Sequence, residues 1–140
     1  MRKMSLDVGT RTIGIAVSDL MGLIANGVET IRRTSPERDY KRLEELIREH
    51  EVDTLVVGYP KNMNGTVGER GQACAAMAEE LKQKFPKCSV VLWDERLSTV
   101  AAERVLIDAD LQRKKRKQVI DMMAAVVILQ NYLDSLQRKF

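Results

Sequence analysis

The sequence predicts an α/β layered fold: a mixed five-stranded sheet, its first three strands antiparallel, flanked by helices. Two observations predict it. The opening residues alternate apolar and polar with period two, broken only by short turns, as a meander does. The remainder alternates helix-spaced segments with short apolar runs, as parallel crossovers do.

Each element has its own signal. Met4, Leu6 and Val8 alternate with Ser5, Asp7 and Gly9, and Ile13, Ile15 and Val17 form a second strand. Gly9-Thr10-Arg11 between them is short enough for a hairpin turn, so the two should pair antiparallel. A third strand is predicted over 27–33 (GVETIRR). Ser35-Pro36-Glu37 is a helix start, with a capping serine, proline at the first helical position and an early acid. Tyr40, Leu43, Leu46 and Ile47 carry that helix to about His50, a helix-end or surface residue with no assigned chemistry. DTLVVG (53–58) reads as a buried strand, followed by the loop YPKNMNGTVGERG. Thr66 and Glu69 have the spacing of a capping box, which predicts a helix over 67–84. SVVLW (89–93) is the fifth strand, and a helix is predicted from about Ser98 to Asp108. The basic run 113–117 opens a last helix over about 118–136, apolar on most sides and so well buried.

Length and composition narrow the function. A chain of 140 residues suits one domain, 1–140. No N-terminal apolar run resembles a signal peptide, and MMAAVVIL (122–129) is too short to span a bilayer, so a cytoplasmic location without membrane contact is expected. Cys74 and Cys88 have no metal-ligand spacing and His50 is the single histidine, which argues against an ordinary Cys/His zinc site. Two reduced thiols are expected rather than a disulfide. The net charge of +3 is unevenly spread. Residues 96–117 hold seven basic and three acidic side chains, a surplus of four, so the rest of the chain sums to −1. Positive charge gathered in one segment suits a polyanion partner. Only 4% of residues are aromatic, which argues against a base-stacking platform and for contacts to backbone and shape.

Three acids lie in apolar surroundings: Asp7 in the first strand, Glu95 after SVVLW, and Asp121 near the start of the last helix. A carboxylate in an apolar strand is costly unless something pairs with it. Sites in α/β sheets gather at the carboxyl ends of parallel strands, so Asp7 and Glu95 can share one end. Asp121 joins them if the last helix packs across the sheet. Hard cations such as Mg²⁺ or Mn²⁺ prefer carboxylate oxygens. One such ion, or two roughly 4 Å apart, can serve the in-line displacement of a phosphodiester. Each acid also has a plain reading: Asp7 bonded to turn amides, Glu95 paired with Arg96 or Arg104, Asp121 complementing a helix N-terminus.

Basic and polar residues surround these acids. Arg11 and Arg96 can position a scissile phosphate or form structural ion pairs. Asn62, Asn64 and Arg70 in loop 58–71 can hold a phosphate, or the loop is a turn and a cap. It lacks the ending of a nucleotide-binding P-loop. Arg113, Lys114, Lys115, Arg116 and Lys117 can neutralise phosphates in a salt-sensitive way, or form a solvated linker.

Four ordered blocks, LDVGTRTIGIAVSD (6–19), VVGYPKNMNG (56–65), DERLST (94–99) and VIDMMAAVVILQNYLD (119–134), resemble the YqgF/RuvX family of pre-16S rRNA nucleases and Holliday-junction-resolvase-like proteins. The resemblance runs over essentially the whole chain. It implies a ribonuclease-H-like fold with strand order 3-2-1-4-5, a divalent metal, a cytoplasmic location, and catalytic, metal-holding carboxylates at Asp7, Glu95 and Asp121. The substrate it implies is structured nucleic acid, preferably the 5′ end of pre-16S rRNA, with branched DNA as the alternative. A junction cutter needs two sites in a symmetric dimer, and the sequence declares no dimer surface, so a monomer or weak homodimer is expected.

The wider superfamily places its second carboxylate at the end of strand four, where this chain has Gly58-Tyr59-Pro60. Glu95 must then reach from one strand further, with Asp94 a candidate helper. Two other classes share pieces of the pattern. Actin-like ATPases and kinases also use an Asp-x-Gly-Thr hairpin around phosphate and metal, but they close two such domains around the nucleotide and 140 residues supply one. A non-catalytic nucleic-acid-binding or ribosome-assembly module would have no need of all three acids.

Overall fold

Alternation in the first strand decides the layers. The computed structural model describes residues 1–62, 64–95 and 113–137, with the backbone alone for 113–121. Strand β1 (Arg2–Val8) sends Met4, Leu6 and Val8 to one face of the sheet and Ser5 and Asp7 to the other. β2 (Thr12–Ser18) and β3 (Ala25–Arg32) follow antiparallel, while β4 (Val52–Tyr59) and β5 (Ser89–Asp94) add parallel to β1. The order is β3-β2-β1-β4-β5, as the family resemblance implies.

Two helices cover the first face. α1 (Pro36–Glu49) starts where its signals place it: Ser35 Oγ accepts from the Arg38 amide, Glu37 and Asp39 lie in the first turn, and His50 caps the end. α2 is Glu69–Lys84. Leu43 and Leu46 of α1, with Cys74, Met77, Ala78 and Leu81 of α2, close over Met4, Leu6, Ile13, Ile15, Leu55 and Val57. The other face carries α3 (Arg113–Gln137), which packs across β3, β2, β1 and β4. Ala125, Ile128, Leu129 and Leu133 meet Ala16, Ala25 and Val56 in a smaller cluster.

Three boundaries differ from the sequence expectation. α2 starts at Glu69, with Gly68 as its N-cap, so the Thr66–Glu69 capping box does not form. The Thr66 hydroxyl is taken instead by Asn62 Nδ2 at 2.8 Å and Asn64 Oδ1 at 2.7 Å, in a tight turn closed by Gly65 at φ 87°. α3 starts at Arg113, so the basic run forms its first turns rather than a linker before it. β3 starts at Ala25 because α3 reaches it: Gln130 Oε1 accepts from the Ala25 amide at 3.0 Å. The helix predicted from Ser98 to Asp108 lies outside the described residues. Cys74 and Cys88 are free thiols. Among the described residues, no helix is long and apolar enough to cross a membrane.

Candidate active site

Asp7 stands on the α3 side of the sheet between two glycines. Its antiparallel partner is Gly14. On the other side Leu6 pairs with Val57, so the next residue, Gly58, comes alongside Asp7. Burial holds the Asp7 carboxyl above the usual carboxylate range, and the Arg70 guanidinium beside it pulls the other way. Arg70 Nη2 donates to Asp7 Oδ1 at 3.2 Å. Arg70 is the second residue of α2, and the glycine after it lets that helix start so close to the loop. A Cβ at Gly71 would lie 2.6 Å from the Pro60 carbonyl oxygen and 2.6 Å from Val67 Cγ1.

Glu95 reaches the same place from β5. Gly58 pairs with Trp93, two residues before Glu95. A Cβ on Gly58 would lie 3.4 Å from Glu95 Cδ and Oε1, and 2.5 Å from Ile128 Cδ1. The end of β4 therefore has no room for an acid of its own, and the Glu95 carboxyl lies over it. Burial raises the Glu95 carboxyl, and the charge of Asp7 raises it further, with Asp94 adding to this and Arg70 opposing. Two carboxyls, both raised by burial, with the charge of Asp7 felt at Glu95, thus share one end of the sheet. Asp94 makes a long ion pair with Lys61 at 3.9 Å.

The remaining predicted residues fall into three groups. Asn62 and Asn64 shape their own loop through Thr66. Arg11 is exposed at the β1–β2 turn, lining a cavity with Arg32 and Arg33. Arg96 and the side chains of Arg113, Lys114, Lys115, Arg116, Lys117 and Asp121 lie outside the described residues. The backbone of Asp121 is helical, one turn before Ala125, whose carbonyl accepts from Ser5 Oγ at 2.6 Å. Among the described residues, no group of three or more His, Cys, Asp or Glu could hold a metal ion. Sequence reasoning missed Arg32 and the packing roles of Gly58 and Gly71. Adjacent Arg32 and Arg33 at a strand end were a visible signal, but only the strand register sets Arg32 beside Thr12.

The family described as "RuvX: Holliday junction resolvase" matches residues 1–135. A protein of Geobacillus sp. (strain WCH70), named "Putative pre-16S rRNA nuclease", is 61% identical over 139 residues, covering 98% of this chain and 100% of that protein. The chain belongs to the RuvX family. Like its relatives, this RuvX-family protein is a hydrolase of the nuclease class. Its fold matches that of T. thermophilus RuvC in complex with a Holliday junction substrate, with TM-score 0.65 at 15% identity over 99% of this chain and 96% of that one. The fowlpox virus resolvase bound to Holliday junction DNA matches with TM-score 0.60 at 12% identity, over 97% of this chain and 99% of that one. At such identities the likeness is one of fold, and that fold is ribonuclease-H-like.

Proposed function

We propose that this RuvX-family chain is a divalent-metal-dependent nuclease that processes the 5′ end of pre-16S rRNA in the cytoplasm, with Asp7, Glu95 and Asp121 as its catalytic carboxylates. The observation that carries the reading is the meeting of Asp7 and Glu95 over Gly58. Both carboxyls resist ionisation, chiefly through burial, and the charge of Asp7 adds to the cost of charging Glu95. A bound cation would relieve that cost, and all-oxygen donors suit Mg²⁺ or Mn²⁺. When bound, such an ion supplies Lewis-acid activation of a water and stabilisation of the leaving oxygen.

The chain's own residues do the rest. Asp7 is held on a strand with a helix packed behind it, so its carboxyl has little freedom to move. Glu95 spans β4 to reach the same point. Asp121 is on the helical face of Ala125, which docks on Ser5, two residues before Asp7 on the same face of the sheet. Arg70 holds Asp7 while the carboxylate lacks another cation, and its largely exposed guanidinium can turn to a substrate phosphate when one arrives. Arg113, Lys114, Lys115, Arg116 and Lys117, on the first turns of α3, add phosphate contacts that lie beyond the reacting bond.

The test is cleavage of a pre-16S 5′ leader transcript and of a four-way DNA junction, each with Mg²⁺, with Mn²⁺ and with chelator. Metal-dependent cutting of the transcript is expected, with Asp7→Asn, Glu95→Gln and Asp121→Asn each lowering the rate by roughly 10²-fold or more. Full activity in all three variants overturns the site. Cutting of the junction alone moves the substrate to branched DNA, the reading that the family's description favours.

A further inference from the structure

A cavity of about 460 Å³ opens beside the β1–β2 turn, lined by Thr10, Arg11, Thr12, Arg32 and Arg33. It is a built feature. The Gly9 amide donates to the Thr12 carbonyl at 2.8 Å, and the Arg33 amide donates to the Arg11 carbonyl at 2.8 Å. Arg33 Nη1 donates to the Gly9 carbonyl at 2.7 Å, and its Nε lies 3.6 Å from the buried Asp39 carboxylate. Asp39 therefore balances Arg33. Among the described residues, Arg11 and Arg32 make no ion pair, so no described carboxylate offsets these two guanidinium charges of the cavity.

Register relates this cavity to the carboxylates. Asp7 pairs with Gly14, Thr12 is two residues from Gly14 on β2, and Thr12 pairs with Arg32. Paired residues of an antiparallel ladder share a face, and so do residues two apart on a strand. Arg32 therefore stands on the same face of the sheet as Asp7. It is two strands away, about 10 Å at the usual strand spacing, and two residues, about 7 Å, nearer the open end, so about 12 Å away in all. A strand of nucleic acid spans that distance in a few nucleotides.

We propose that this cavity is a second phosphate subsite, holding a backbone phosphate of the substrate strand a few nucleotides from the bond that is cut. The proposal rests on the nuclease reading above. Arg11 and Arg32 supply charge and forked donors, the Thr10 and Thr12 hydroxyls supply smaller ones, and Arg33 holds the turn in shape. Such a subsite reads no bases. It fixes the register of the strand relative to Asp7 and Glu95.

Binding in chelator, where nothing is cut, tests the subsite separately from the chemistry. The probe is a fluorescein-labelled RNA hairpin with a single-stranded 5′ extension, followed by anisotropy over a salt series. The Arg11→Gln/Arg32→Gln double variant should bind more weakly, and its log–log salt slope should be shallower by about 0.7 to 0.9 per lost phosphate contact. Arg11→Lys/Arg32→Lys should keep most of the slope, and Arg48→Gln, an exposed arginine of α1, should match the wild type. An RNA trimmed to the cut itself should make wild type and double variant alike. Equal slopes for wild type and double variant on the full probe overturn the proposal. Displacement of the RNA by inorganic phosphate through Arg11 and Arg32 alone reassigns the cavity to a free anion and also overturns it. If the slope changes as expected but the wild type cuts nothing with Mg²⁺ or Mn²⁺, the subsite stands and the nuclease reading falls. If the wild type cuts and the slope does not change, the reverse holds.

Discussion

On the face covered by α1 and α2, β1 contributes Met4, Leu6 and Val8, all buried in an apolar cluster. On the face covered by α3, the same strand contributes Ser5 and Asp7. Both faces lie under helices, yet only one is packed for stability alone. The α3 face is built from small residues at its contacts: Ala16, Ala25, Gly27 and Gly58 receive Ala125, Met122 and Ile128. Ser5 on this face donates to the Ala125 carbonyl, whereas the Thr30 hydroxyl and the Trp93 indole N–H are buried there without a hydrogen-bond partner among the described residues. Where β4 ends, the same face turns from packing to charge, with Glu95 and Asp7 side by side. Proteins accept locally unfavourable choices at working sites and offset them elsewhere, and here the two halves of that arrangement are the two sides of one strand.

Adjacent residues on β1 make the comparison easy to break. Leu6→Ala should cost about 2–5 kcal/mol by removing a fully buried side chain from the first face, read by denaturant unfolding. A loss no larger than that of an exposed leucine such as Leu20 would show that this face does not carry the stability. Gly58→Ala should cost less, about 1–3 kcal/mol, because the new Cβ meets the movable end of Ile128. Its effect on cleavage should exceed its effect on stability, since Glu95 must also give way. Adding Ile128→Val should recover stability ahead of activity.

The smallest effect has the opposite sign. Asp7→Asn and Glu95→Gln should stabilise the metal-free protein at neutral pH, because both carboxyls are raised in the fold. Between the ordinary values of 3.8 and 4.5 and the raised ones, the folded state holds more protons than the unfolded state, so stability falls as pH rises through that window. Above it the cost of the charges is fully present. Below the ordinary values both states are protonated and the cost is gone. Melting in chelator should therefore show each variant ahead of wild type at pH 7 and level with it in acid. Added Mn²⁺ should raise the melting temperature of the wild type and leave the variants nearly unmoved. A wild type that is more stable than Asp7→Asn in chelator would contradict the account of an unrelieved pair.

Much of the fold is legible in short stretches of chain. The β1–β2 hairpin follows from period-two alternation on either side of Gly9-Thr10-Arg11, and α1 follows from Ser35-Pro36-Glu37. The start of α2 is not, because the Thr66 hydroxyl has two possible sets of partners and only the folded loop decides for Asn62 and Asn64 over the helix. The start of α3 is not, because a run of cations at a helix N-terminus opposes the helix dipole and reads as a place to stop. The acids of the site stand out by type, since an Asp in an apolar strand and a Glu just past one both need a reason. Arg32 has only the signal of its neighbour Arg33, because nothing near it in the chain marks the strand across from it.

The amino-acid sequence by itself determined the class of fold, the antiparallel pairing of its opening strands and the candidate carboxylates, because these depend on periodicity, turn chemistry and residue type within a few positions. The tertiary structure alone decided that Glu95 lies over Gly58 and that Arg70 holds Asp7. It also decided that Arg32 shares a face with Asp7. Those relations join distant segments through strand register, and register is set by which face of each strand is buried.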